Sequence, residues 1–147
     1  MAQVSERPSL PDVTDPQWGP FWRHARDGEL WAPGCGSCGA VWWPPGSPRC
    51  PECLGTDVQW RPLDGRGQVW SVAIYHRAFQ PAFAADVPYT VALVELANGV
   101  AMVGRVIGAR PLAPGDEAVA VFERVTDEVT LIRFAAADPE QETDGGR

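Results

Sequence analysis

The sequence predicts a mainly β chain in two modules: a small metal-binding ribbon entered from a short N-terminal helix, then a closed or nearly closed barrel of five short strands. Three observations predict it. Four cysteines fall in two Cys-x2-Cys pairs, 35/38 and 50/53, the spacing of metal-ligand knuckles. Downstream, apolar runs of strand length alternate with Gly, Pro and Asn-Gly turn signals. No long helical pattern interrupts these runs, and short antiparallel strands of this kind manage their edges by closing into a barrel. The 147 residues, 45% hydrophobic, suit a small module joined to a compact barrel.

Taken in order, residues 1–14 lack periodicity and read as a loose arm. Asp15-Pro16 reads as an N-cap with proline at the first helical position. Trp18, Phe21, Trp22 and Ala25 follow at helical spacing as one apolar stripe, with Arg23, Arg26 and Asp27 facing away. Pro20 would forfeit a hydrogen bond in a helix begun at Asp15, so a restart with Gly19 as cap and Pro20 first is the alternative. Gly28 is the expected stop. The cysteine module spans Leu30 to Leu54, with short strands expected at Leu30–Ala32 and Val41–Trp43; Pro44-Pro45-Gly46 forbids continuation of the second.

From Val58 to Phe134 the pattern is strand. The runs are Gln68–His76, Pro88–Leu96, Val100–Ile107, Ala118–Arg124 and Val129–Phe134. Asn98-Gly99 is a strong hairpin signal; a two-residue turn there would pair Ala97 with Val100, Glu95 with Met102 and Leu93 with Gly104. In the second strand both parities are apolar, Val91 and Leu93 as well as Ala92, Val94 and Leu96. One face fills the barrel, so the other needs cover from the N-terminal module or from a partner. Residues 135–147 are small and acidic and read as a disordered tail. The resulting division is an arm (1–14), helix and ribbon (15–57), barrel (58–134) and tail (135–147).

Cys35, Cys38, Cys50 and Cys53 carry the strongest chemical signal. Two residues between cysteines let a tight turn aim both sulfurs at one point while backbone N–H groups bond the thiolates. Two such knuckles make a tetrahedron of sulfurs that suits one structural zinc ion per chain. Four thiolates leave no position for a reactive water, so the ion holds structure. Iron is the second candidate, because the knuckles are like those of rubredoxin. A module this small cannot offset its chain entropy by apolar burial alone, whereas zinc sites contribute about 10–16 kcal/mol in peptides.

Charge excludes other functions. The net −7 includes −2 from residues 1–15 and −3 from residues 135–147, leaving −2 over residues 16–134 with ten arginines. A near-neutral folded part lacks the positive field that nucleic-acid backbones require. All twelve basic residues are arginine, which excludes Schiff-base chemistry and lysine-dependent phosphate loops. Apolar stretches are too short for a membrane crossing, no secretory signal is read, and the expected compartment is the reducing cytoplasm. Tyr89 and Glu95, six positions apart on one strand face, would lie about 20 Å apart, too far to act as an acid/base pair. Two histidines and no Gly-x-Ser-x-Gly motif leave no catalytic set.

Together, Gly28-Glu-Leu30, the double-knuckle ribbon with Trp43-Pro-Pro45 between its knuckles, Gly65-Arg-Gly67-Gln-Val69-Trp-Ser71 and the Pro88–Leu96 run resemble the zinc-ribbon/OB-fold family associated with acyl-CoA metabolism. The resemblance spans residues 15–134. Leu54 departs from it, standing where the family usually has glycine after the last cysteine. The resemblance implies a rubredoxin-like zinc ribbon and a five-stranded OB-fold barrel. It implies a non-catalytic subunit that docks on a thiolase-fold acyl-CoA enzyme, a thiolase or a retro-aldolase such as those that cleave steroid side chains. The protein partner would be that thiolase-like or aldolase subunit, with acyl-CoA met only indirectly and neither membrane nor nucleic acid engaged. On that reading Trp18, Phe21, Trp22, Trp42 and Trp43 are candidate partner-binding aromatics. The loop carrying His76, Arg77, Phe79 and Phe83 would sit near the acyl-CoA entrance, with Arg77 near a phosphate. The competing functions are a single-stranded nucleic-acid-binding OB protein, which needs a basic groove with stacking aromatics, and a stand-alone CoA-ester enzyme.

Overall fold

The computed structural model describes residues 9–137. Most of the expected arm and tail, residues 1–8 and 138–147, lies outside the described residues. The helix α1 is Gly19–Arg26. Asp15 caps a separate turn before it: its Oδ1 accepts the N–H groups of Gln17 (2.8 Å) and Trp18 (3.0 Å). Pro20 then falls in the first turn of α1, where its missing N–H costs nothing. At the other end Gly28 takes φ +78°. Its N–H bonds the Ala25 carbonyl, and the Glu29 N–H bonds that of His24, both at 3.0 Å. This paired closure satisfies the last carbonyls and turns the chain into the first strand.

Strand β1, Leu30–Cys35, pairs antiparallel with β2, Val58–Leu63, from Leu30↔Leu63 to Cys35↔Val58. The segment expected to open the barrel therefore closes the ribbon instead. Val41–Trp43, expected as a strand, contributes one bridge, Gly34↔Val41, and a bond from the Trp42 N–H to the Pro33 carbonyl (3.1 Å). Pro44 and Pro45 supply no N–H with which to extend a ladder.

The barrel comprises β3 (Arg66–Tyr75), β4 (Tyr89–Leu96), β5 (Ala101–Val106), β6 (Glu117–Arg124) and β7 (Thr130–Ala136). It closes in the order β3-β4-β5-β7-β6, antiparallel throughout except for the parallel pair β5–β7. This is the five-stranded OB-type barrel. β7 runs through Ala136, so residues 135 and 136, expected in the tail, complete the sheet. Gly67 lies hard against β4: a Cβ there would collide with the Glu95 carbonyl.

The β4–β5 hairpin forms, but its register differs by one residue from the expected pairing. Ala97–Gly99 makes a three-residue turn with Gly99 at φ +74°, and the Leu96 N–H bonds the Val100 carbonyl at 2.7 Å. Val94 now faces Met102 and Ala92 faces Gly104. The expected two-residue turn would have set exposed Glu95 beside buried Met102; the observed one puts apolar against apolar.

One continuous core joins the modules. Phe21, Leu30, Ala32 and Leu63 from the N-terminal part pack in the same cluster as Val69, Val94, Met102 and Phe134 of the barrel. The outer barrel face receives cover from within the chain, from α1 and Trp43, but the cover is partial and leaves Val103 63% exposed.

Candidate metal centre and docking cleft

The two knuckles are built alike. In the first, the Gly39 N–H bonds the Cys35 carbonyl (3.0 Å) and the Cys35 N–H bonds the Ala40 carbonyl (2.8 Å). In the second, the Leu54 N–H bonds the Cys50 carbonyl and the Cys50 N–H bonds the Gly55 carbonyl, both at 2.9 Å. Each turn needs a left-handed residue after its second cysteine: Gly39 at φ +78° and Leu54 at φ +61°. Leu54 is the one non-glycine residue with positive φ among the described residues. The departure from the family pattern thus leaves the turn's path intact and places a side chain in a strained conformation.

The four sulfurs lie within 4.8 Å of one another, with Cys35–Cys53 and Cys38–Cys50 each 3.6 Å apart, and no disulfide joins them. Tetrahedral thiolate coordination with bonds of about 2.3 Å requires sulfur separations of about 3.8 Å. The donor set therefore fits one such ion. Backbone N–H groups of Cys38, Glu52 and Gly55 approach the sulfurs of Cys35, Cys50 and Cys53, each at 3.4 Å. The N–H groups of Cys38 and then Ser37 hold Cys35 down to about 6. The Ala40 N–H lowers Cys38, but the Cys50 thiol, burial and the other two thiols together push it up to about 12. Cys53 is also raised: the Gly55 N–H opposes the shift, and the Cys35 thiol drives it. Cys35 is thus the thiol readiest to lose its proton, while Cys38 and Cys53 hold protons that a divalent cation must displace.

The second feature is an apolar cleft of about 640 Å³ on the outer barrel face. Trp18, Trp22, Trp43 and Phe83 wall it against Tyr89, Val91, Val103, Arg105, Leu131 and Arg133. Among the candidate partner-binding residues, Trp18 and Trp22 stack at 6.4 Å and are half-buried at this cleft. Trp43 meets Trp18 edge-on at 5.4 Å. Phe21 is only 3% exposed; it belongs to the chain's own core and forms the cleft floor. Trp42 lies outside the cleft, its Nε1 buried without an acceptor among the described residues.

The loop residues separate. Phe83, in the 3-10 turn Pro81–Phe83, reaches the cleft and lies 6.2 Å from Tyr89. His76, Arg77 and Phe79 do not line it; all three are exposed, Phe79 at 77%. Sequence reasoning missed Tyr89, Arg105 and Arg133 as cleft residues. Arg105 lies 4.6 Å over the Tyr89 ring and pairs with Asp86 at 3.2 Å, and Arg133 pairs with Glu123 at 2.8 Å. The outward parity of β4 carried the available signal. His24, half-exposed on α1, stacks on Trp31 at 4.1 Å.

A ribbon with four cysteines positioned to bind a metal, sharing its core with an OB-type barrel, defines a two-module β protein. Family models for ChsH2 match both modules: its rubredoxin-like zinc ribbon domain over residues 22–59 and its C-terminal OB-fold domain over residues 60–123. The chain belongs to this ChsH2/DUF35 family. It is 30% identical to a DUF35 domain-containing scaffold protein of Methanocaldococcus jannaschii over 73% of this chain and 77% of that protein. It is 35% identical over 126 residues to a probable enoyl-CoA hydratase alpha subunit of Thermomonospora curvata, but spans 39% of that protein's length. Among solved structures it is similar to the Ltp2-ChsH2(DUF35) aldolase, with a TM-score of 0.75 and 31% identity over 90% of this chain and 100% of that one. A DUF35-family protein of unknown function from Sulfolobus solfataricus shares the fold, with a TM-score of 0.57 at 16% identity. Among the described residues, no helix is long and apolar enough to cross a membrane.

Proposed function

We propose that this chain is a non-catalytic accessory subunit of a thiolase-fold acyl-CoA enzyme, of the retro-aldolase or thiolase type, working in the cytoplasm with one structural zinc ion in its ribbon. The observation that carries the reading is the likeness, across nearly the whole chain, to the ChsH2 component of a solved aldolase. The four thiols fill a coordination sphere and leave no position for substrate, consistent with a bracing ion. The half-exposed indoles of Trp18, Trp22 and Trp43 supply amphipathic anchors for a partner. Phe83 and the exposed loop behind it, with His76, Arg77 and Phe79, would face the partner's acyl-CoA entrance. The test is co-expression with a thiolase-like protein from the same organism, of the kind paired with ChsH2 in the solved aldolase. Co-purification, and partner activity that depends on this chain, are expected; a partner that purifies alone with full activity would refute the reading.

A second reading keeps the accessory role and changes the partner's chemistry, because one relative is named an enoyl-CoA hydratase subunit. The same purified complex separates the two. Hydration of a 2-enoyl-CoA favours the hydratase reading, and carbon–carbon cleavage of a 3-hydroxyacyl-CoA favours the aldolase reading.

A further inference from the structure

The barrel closes through only part of its longest strand. β6 pairs with β3 at Arg66, Gly67 and Gln68, and the Gly115–Asp116 turn takes up the N–H and carbonyl of Val69. Beyond Val69, β3 continues to Tyr75 and pairs with β4 alone. The hydrogen bonds fix which way its backbone points. The Leu96 N–H bonds the Val100 carbonyl where the hairpin leads into β5, so even-numbered β4 residues direct their backbone groups to β5 and odd-numbered ones to β3. Through the pairs Ser71↔Leu93, Ala73↔Val91 and Tyr75↔Tyr89, residues 71, 73 and 75 direct their backbone groups to β4. Val72 and Ile74 direct theirs to the opposite edge. Among the described residues, no backbone hydrogen bond satisfies them there.

Such edges are ordinarily blocked by proline, charge or a covering element. Trp70-Ser71-Val72-Ala73-Ile74-Tyr75 contains neither proline nor a charged residue, and its bulge lies at the Val69/Ser71 end. It is apolar and exposed: of seven large hydrophobics exposed on the described surface, Trp70 (67%), Ile74 (57%) and Phe79 (77%) fall within ten residues of sequence. Tyr75 stacks on Tyr89, which lines the apolar cleft, so β3 lies one strand over from that cleft.

The geometry points to β3 residues 70–75 as a docking edge to which an extended, uncharged segment of the protein partner adds as a further strand. A row of unpaired N–H and carbonyl groups is matched in register only by another peptide backbone, while apolar side chains beside it fit alternate apolar residues on the incoming strand. Two copies of this chain paired through six residues would bury far less than the roughly 1,200–2,000 Å² of a stable interface. A larger partner can cover the edge and the nearby cleft together. The inference rests on the accessory-subunit reading and names a contact within it.

The test uses the full chain, metal-loaded, with the co-expressed thiolase-like protein as probe. Ile74→Pro removes one edge-facing N–H without touching a β3–β4 hydrogen bond. Ile74→Thr keeps the N–H and shortens the apolar side chain. Ile74→Pro should weaken association by roughly tenfold or more at unchanged metal content and thermal midpoint, and Ile74→Thr by roughly threefold or less. In the unsubstituted complex, amide exchange at Val72 and Ile74 should slow relative to the free chain, a readout independent of how the variants fold. Complex formation with unchanged exchange at these amides overturns the edge assignment and leaves the accessory role standing. A free chain that sediments as a dimer, dissociated by Ile74→Pro, overturns the partner assignment in favour of a second copy. Failure of the unsubstituted chain to bind the probe overturns the accessory reading and this inference with it.

Discussion

Leu54 holds a backbone conformation that its Cβ disfavours by about 1–2 kcal/mol, and its side chain, 65% exposed, gains little packing in return. Leu54→Gly should therefore stabilise the metal-loaded chain by about 0.5–1 kcal/mol after the greater unfolded-state freedom of glycine is subtracted. A higher guanidinium midpoint and slower metal loss to a chelator would register the change; a lower midpoint would mean that the leucine side chain makes a stabilising contact. Cys50 is fully buried beneath the second knuckle. Cys50→Ser replaces a thiolate with a hydroxyl that does not ionise near neutrality, leaving three thiolates. Metal content under mild chelation should fall well below one ion per chain by elemental analysis, and unchanged content would count against the site. At this scale the sequence was highly legible for the sulfur cluster, because knuckle spacing by itself brings sulfurs together. It was poor for the aromatics: Trp18, Phe21 and Trp22 share one helical stripe, and only the packed barrel makes Phe21 core and leaves its neighbours at a cleft.

Among the elements, Trp43 is the joint between ribbon and helix, with its ring 4.8 Å from Phe21 and 5.4 Å from Trp18. Trp43→Ala removes one wall of the cleft and loosens α1. The expected cost is about 2 kcal/mol, below that of a fully buried tryptophan because Trp43 is half-exposed. Denaturant unfolding measures that cost, and partner affinity should fall with it. Strand existence was readable from apolar runs and turn signals, since both follow from local chemistry. Strand pairing was less so. Asn98-Gly99 marks a hairpin, but whether two or three residues form its turn depends on which register lets Met102 meet Val94 in the core. Val58–Leu63 falls in the region the sequence pattern assigns to the barrel, without being named a strand of its own, and only the fold decides that it forms β2 and pairs with β1.

The whole molecule unfolds as a unit if its core is continuous, because Phe21, Leu30 and Leu63 pack with Val94 and Phe134 across the module boundary. Removal of the metal from reduced protein should then lower the midpoint of a single cooperative transition, not melt the ribbon alone. Two separate calorimetric transitions would show that the modules are energetically independent. The pH dependence has a definite sign. Cys38, pushed up to about 12, and Cys53, also raised, must surrender protons to bind a cation. Protons and metal therefore compete: retention is strongest at alkaline pH and falls as pH falls, measurable as metal released to a chromogenic chelator across a pH series.

By itself, the sequence determined which four cysteines come together in a metal-binding arrangement, the helix-ribbon-barrel order and the number of barrel strands, because knuckle spacing, capping and residue periodicity are properties of short segments. The tertiary structure decided the register of the hairpin, the partner of β2, the burial of Phe21, the cleft beside Tyr89 and Arg105, and the open edge of β3. Each of these depends on which distant surfaces meet, and local patterning leaves that choice open until the core closes.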